Sequence, residues 1–158
     1  NLLSNSTVIM LRDRGVRDRF LAEPDNAGTA IEEFLRYDGP SNSMSRVVRI
    51  EHEVGGKRLK VGDRVFAMIN AANRDETQFP NADTVDVGRL PNRHLTFGQG
   101  IHFCLGAQLA RLEARIALPA LMAEFPDLAF AERAPEWHDS LIARGLKSLP
   151  VKLGRRQS

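Results

Sequence analysis

Cys104 is the only cysteine in the chain of 158 residues, and the residues around it are the best suited to chemistry. A single thiol excludes a disulfide within the chain, and with it a cysteine-rich zinc or iron–sulfur site. Isolated cysteines commonly serve as small buried hydrophobes. The neighbourhood here points elsewhere. In Phe97-Gly98-Gln99-Gly100-Ile101-His102-Phe103-Cys104-Leu105-Gly106, glycines stand four residues before the sulfur and two after it. Glycine permits backbone conformations and close approach that a side chain would block. A flat group can lie against such a loop with Cys104 directed at it.

The periodic run from about Leu105 to Phe125 predicts a helix starting directly after the cysteine. Unpaired N–H groups and the positive end of a helix dipole favour a negative sulfur, so a depressed thiol pKa is expected. A thiolate there is a nucleophile or a metal ligand. With no second cysteine and no nearby carboxylate cluster, a metal site with one protein ligand is the natural choice. Haem meets that description, because the porphyrin supplies four nitrogens of its own.

The same residues carry a family resemblance. Phe97, Gly100, Cys104 and Gly106 fill every fixed position of the cysteine-loop pattern F-x-x-G-x-x-x-C-x-G of the cytochrome P-450 family. Ala107-Gln108-Leu109-Ala110-Arg111-Leu112-Glu113 resembles the helix that follows this loop in soluble bacterial members. The resemblance implies that Cys104 is the thiolate ligand of the iron in haem b (iron protoporphyrin IX), with Phe97, Gly98, Gly100 and Gly106 forming the loop against it. It implies a monooxygenase that inserts one atom of O2 into a small, hydrophobic organic substrate while the other leaves as water. Electrons would come from a donor such as a ferredoxin with its reductase.

Other positions gain meaning from the resemblance. Glu33 and Arg36 lie three apart on one face of a predicted helix, a spacing that alone describes an ordinary surface ion pair. In the family an E-x-x-R pair is buried and joined by an arginine from the following meander, for which Arg89 is the candidate. The triad would be structural, holding the meander and so the cysteine loop. Arg46 and His102 match positions that bind the haem propionates, whereas His94 is assigned a structural place. Pro40 to Met44 and Leu141-Ile142 correspond to segments lining the substrate pocket. Arg93, Arg111 and Arg115 flank the loop on the side where relatives receive electrons, though a solvated helix face explains them equally well. No catalytic residue is assigned: the family's acid–alcohol pair has no equivalent in the chain, and Thr7 falls after its position.

The elements that must position these residues read as mainly α with small antiparallel β-sheets, the C-terminal part of the cytochrome P-450 fold. Asn1 to Arg12 reads as the end of the long helix crossing the far face of the haem. A short amphipathic helix over Val16 to Ala22 and a third helix over Asn26 to Tyr37 follow, the last ended by Asp38-Gly39-Pro40. Strands are expected at Ser45 to Glu53, Lys57 to Val61 and Arg64 to Ile69, with turns at Gly55-Gly56 and Gly62-Asp63. Ala71 to Thr96 has little periodicity, and such long irregular segments are often functional. In the helix after the cysteine, Leu109, Leu112, Ile116, Leu118 and Leu121 are expected on the packed side. A hairpin is expected near Leu141 to Gly145.

Composition agrees with one partial domain over residues 1–158. Hydrophobic residues make up 42% and charged residues 27%, as in globular proteins. A net charge of +2 offers no case for nucleic acid. The 18 arginines against 4 lysines suit bidentate contacts, or reflect genome composition. No apolar run suits a membrane span or a secretory signal, so a cytoplasmic protein is expected. The start at Asn1 suggests a missing N-terminal remainder, and the chain by itself is expected to be inactive. Two alternatives stay open: a catalytically dead haem-binding remnant, and an unrelated soluble domain with a structural cysteine.

Overall fold

A computed structural model describes residues 1–154. Helix α1 (Leu2–Arg12) has no solvent-facing middle: Asn5, Ser6, Thr7, Val8, Ile9 and Met10 are all buried. A helix buried on every side must satisfy its polar groups internally. Asn5 Nδ2 donates to the Asp38 and Arg144 carbonyls at 3.0 and 3.3 Å, and Thr7 Oγ1 donates back to the Leu3 carbonyl at 2.8 Å. Asp13 ends α1 and caps α2 (Arg14–Ala22) by accepting the Val16 N–H at 3.0 Å.

Helix α3 (Ala27–Asp38) turns Ala30, Ile31, Phe34 and Leu35 inward at helical spacing. Together with Met10, Phe20, Phe97, Leu118, Met122 and Leu128 they form one apolar core. Truncating Phe34, which is fully buried, would cost about 3–5 kcal/mol by the usual large-to-small penalty.

Strand β1 (Ser43–Val47) pairs antiparallel with β4 (Arg64–Met68), and β2 (His52–Val54) with β3 (Lys57–Leu59). The single strand expected over Ser45 to Glu53 is therefore two strands. The segment changes partner, and the chain bends at Arg49 and Ile50 between the two ladders. Helix α4 (Ile69–Ala72) follows β4 directly.

Helix α5 (Ala107–Glu124) begins two residues later than expected, with Gly106 at its N-cap. Of the residues expected on its packed side, Leu118 is buried and Leu121 packs against the core, but Leu109, Leu112 and Ile116 do not. Ala107, Ala114, Leu118 and Met122 are buried, while Leu109, Leu112 and Ile116 are exposed at 60%, 54% and 63%. The two sets lie on opposite faces of the helix at 100° per residue. Both faces are apolar, so periodicity alone cannot choose between them.

After α5, β5 (Ala129–Phe130) pairs with β8 (Val151–Lys152), and β6 (Glu136–Trp137) pairs with β7 (Leu146–Ser148). The hairpin expected near Leu141 to Gly145 is present: β6 and β7 are its arms and residues 138–145 its loop, closed by the His138 N–H donating to the Gly145 carbonyl at 3.0 Å. Its residues join the β1 entry: Ser41 bridges Ala143, and the Asn42 N–H donates to the Ile142 carbonyl at 2.8 Å. Mainly helical structure with small antiparallel pairs is the class that the sequence predicts. No helix among the described residues is long and apolar enough to cross a membrane.

Candidate functional site

The irregular segment between α4 and α5 carries the cysteine loop, and side chains rather than ladders hold it. Glu33 and Arg36 on α3 are fully buried, Arg36 Nε donating to Glu33 Oε2 at 2.8 Å and Nη2 to Oε1 at 2.8 Å. Arg89 Nε reaches both oxygens of Glu33 at 3.1 Å. The Asp86 N–H and Asn92 Nδ2 complete the shell at 2.9 and 3.0 Å. Each guanidinium also binds carbonyls of the segment: Arg36 those of Asn73, Ala82 and Thr84, Arg89 those of Pro80 and Asn81. A buried carboxylate is costly unless all its lone pairs are met, and here they are.

Two residues that sequence reasoning missed extend this hub to the loop. Asn73 is fully buried, accepts the Leu95 N–H at 2.8 Å and donates to Thr96 Oγ1 at 2.9 Å. Thr96 Oγ1 in turn donates to the Leu35 carbonyl at 2.7 Å, tying the start of the cysteine loop to α3. Asn92 is the other. Within an irregular stretch, the only available signal was that polar side chains must satisfy orphaned backbone groups.

Cys104 is exposed, and its N–H donates to the Phe97 carbonyl at 2.8 Å. Phe97 itself is buried, beside Phe103 and His94 with ring centroids 6.3 and 6.0 Å away. Gly98 and Gly100 have φ of +73° and +71°, a region that side chains rarely adopt. A Cβ on Gly98 would also meet Met44 Cε at 3.2 Å, so this glycine lets β1 close on the loop. Gly106 has ordinary backbone geometry; a Cβ there would stand 4.0 Å from the Cys104 sulfur. Around the thiol, Ile101 is 98% exposed, Leu105 is fully exposed and Phe103 is half-exposed.

Arg46 follows Met44 by two residues and so shares its strand face. The guanidinium is exposed, and its Nη1 donates only to the adjacent Ser45 carbonyl, at 2.9 Å. His102 is exposed in the single 3-10 turn Gly100–His102. The loop thus offers an apolar surface with one sulfur, and Arg46 stands on the strand face that touches it. That donor set fits a flat, largely apolar group bearing acidic substituents, which is the chemistry of haem. A cavity of about 630 Å³ is lined by polar and apolar residues including Asp25, Thr29, Arg89, Leu90 and Arg115, and by none from the cysteine loop.

Arg111 is not the free surface cation that the sequence suggests. It lies on the packed face of α5 and pairs with Glu32 through Nε–Oε1 at 2.6 Å and Nη2–Oε2 at 2.8 Å. His94 Nε2 meets Glu32 Oε2 at 2.9 Å, while its Nδ1 accepts the Thr96 N–H at 3.2 Å. An accepting Nδ1 leaves the proton on Nε2, so the ring donates to Glu32. Burial pushes the Glu32 carboxyl up, but the bonds from Arg111 and His94 and the charge of Arg111 outweigh it and bring it down to about 2.

A cysteine loop with these fixed glycines, between an E-x-x-R helix and a helix starting three residues past the sulfur, defines a haem-thiolate type of protein. The family model for cytochrome P-450 matches residues 27–148, and the chain belongs to that family. It is 43% identical over 158 residues to the polyketide biosynthesis cytochrome P-450 PksS of Bacillus subtilis, covering 98% of this chain and 39% of that protein. The solved structure of PksS superposes with a TM-score of 0.94 at 41% identity, covering 98% of this chain and 41% of that one. CYP109E1 of Bacillus megaterium in complex with testosterone gives a TM-score of 0.91 at 35% identity, covering 96% and 42%. The chain therefore spans about two fifths of the length of these relatives. Family membership implies a haem cofactor, and removes the reading of an unrelated domain with a structural cysteine.

Proposed function

We propose that Cys104 would be the thiolate that holds the iron of haem b, and that the chain forms the cysteine-side part of a monooxygenase. The observation that carries this reading is an exposed thiol among exposed Ile101, Phe103 and Leu105, on a loop of the family's pattern backed by buried Phe97. When bound, the haem supplies the chemistry of oxygen activation, one atom of O2 entering the substrate and the other leaving as water.

The chain's own residues do the rest. The Cys104 sulfur donates electron density toward the metal, and the Phe97 carbonyl fixes the backbone that carries it. Gly98, Gly100 and Gly106 keep the loop thin enough for a flat group to approach. Arg46 and His102 bind the propionates, Arg46 with the bidentate geometry suited to a carboxylate. Glu33, Arg36 and Arg89 hold the meander, and through it the loop, without touching reactants.

A small, hydrophobic organic substrate suits the reading: PksS is named for polyketide biosynthesis, and CYP109E1 holds testosterone. Electrons come from a ferredoxin with its reductase, and the protein works in the cytoplasm. The reading is tested by haem titration of the purified protein, followed by the spectrum of its reduced carbon monoxide complex. One haem per chain with a thiolate-type spectrum is expected, and absence of uptake contradicts it. Haem uptake without substrate oxidation, when donor and O2 are supplied, would favour the catalytically dead haem-binding remnant.

A further inference from the structure

The Glu32–His94–Arg111 cluster lies outside the Glu33 hub, and the proposed reaction does not use it. Its position is specific. Arg111 from α5 lies over the Phe97 ring, with 4.6 Å from guanidinium carbon to ring centroid. On the same residue, the Phe97 carbonyl takes the N–H of Cys104. The Arg111 side chain is only 20% exposed, so its charge is poorly screened by water. Its pKa is raised, first by the hydrogen bond to Glu32, against burial, and further by the charge of Glu32 and of the Cys104 sulfur.

An ion pair whose only task is to join α3 to α5 needs no stack on the ring of Phe97, the residue whose carbonyl takes the Cys104 N–H. We propose that Arg111 is a positioning residue that tunes the sulfur of Cys104. Its positive charge lies over the ring of the residue whose carbonyl anchors the Cys104 backbone, while Glu32, oriented by His94, holds the guanidinium in place and offsets part of that charge. The inference rests on the reading of Cys104 as the iron ligand. Electrostatics then sets opposite signs for the two partners. Without the cation the sulfur donates more strongly and ferric iron is favoured; without the anion the cation acts in full and ferrous iron is favoured.

The test is a potentiometric titration of the haem-loaded protein alongside its reduced carbon monoxide spectrum. Arg111→Met should lower the ferrous-to-ferric equilibrium constant by several-fold, up to about tenfold, which is ~59 mV for one electron. Glu32→Gln, which keeps a hydrogen-bonding side chain, should shift it the other way by a smaller factor. Arg111→Lys should restore most of the wild-type potential by restoring the charge. Shifts of the same sign in Arg111→Met and Glu32→Gln, or unmoved potentials with the thiolate spectrum intact, would reduce the cluster to a staple between helices. A wild-type protein without the thiolate spectrum would instead defeat the ligand assignment itself, and this inference with it.

Discussion

The Glu33 hub and the Cys104 loop meet the same irregular segment between α4 and α5, one as its anchor and one as its end, yet are built in opposite ways. Around Glu33 the side chains are buried, and the carboxylate is met by Arg36, Arg89, Asn92 and the Asp86 N–H. Around Cys104 the thiol, Ile101 and Leu105 are open, and Arg46 bonds only to its own strand neighbour. A region complete in its own contacts has the properties of scaffolding. A region with sulfur, apolar surface and cations left over has those of a receptor. The contrast separates residues that hold the loop from residues that meet a ligand, and substitutions in each should fail differently.

The largest effect is expected at the hub. Glu33→Ala leaves two guanidiniums sharing a site without their carboxylate, at a cost of about 3–5 kcal/mol. Chemical denaturation of the haem-loaded protein should show that loss; a midpoint within error of wild type would contradict the scaffold role. Core truncation on α5 sharpens the comparison. Leu118→Ala should cost about 2–5 kcal/mol, as for other buried leucines. Leu112→Ala, on the exposed face, should cost far less in the 158-residue chain, within about 0.5 kcal/mol. Equal losses would mean that both faces are packed.

Smaller effects belong to the receptor side. Arg46→Ala removes a charged hydrogen bond of the kind worth about 1.5–3 kcal/mol, so haem should dissociate roughly tenfold or more faster. His102→Ala should act in the same direction more weakly. Neither should change the denaturation of the haem-free protein, and a change there would move them to the scaffold. The smallest effect concerns pH. Glu32 is held down to about 2 from an ordinary 4.5, so the folded state binds its proton less readily than the unfolded state. Its contribution to stability is therefore full above about 4.5 and is lost as pH falls toward 2. Glu32→Gln should flatten the acid limb of a stability–pH curve in that window; an unchanged slope would contradict the pairing.

The receptor side was the more legible in the amino-acid sequence, because its signal is local. Phe97, Gly100, Cys104 and Gly106 lie within ten consecutive residues, and the helices α1, α2 and α3 follow from spacing and stop signals alone. The hub was legible only by analogy, since Glu33 and Arg89 are 56 residues apart. Asn73, Asn92 and the Glu32–His94–Arg111 cluster were not legible. Their partners come from distant segments, and an isolated asparagine or histidine carries no pattern. The packed side of α5 was legible only in part: Leu118 and Leu121 are on it, whereas Leu109, Leu112 and Ile116 are not, because both faces of the helix are apolar.

The bond between the Cys104 sulfur and iron is tested most directly by the reduced carbon monoxide spectrum of the haem-loaded protein, compared with that of Cys104→Ser. The wild type should show the thiolate-type band and the variant should lose it while still folding. A variant whose spectrum matched the wild type would contradict the assignment of Cys104.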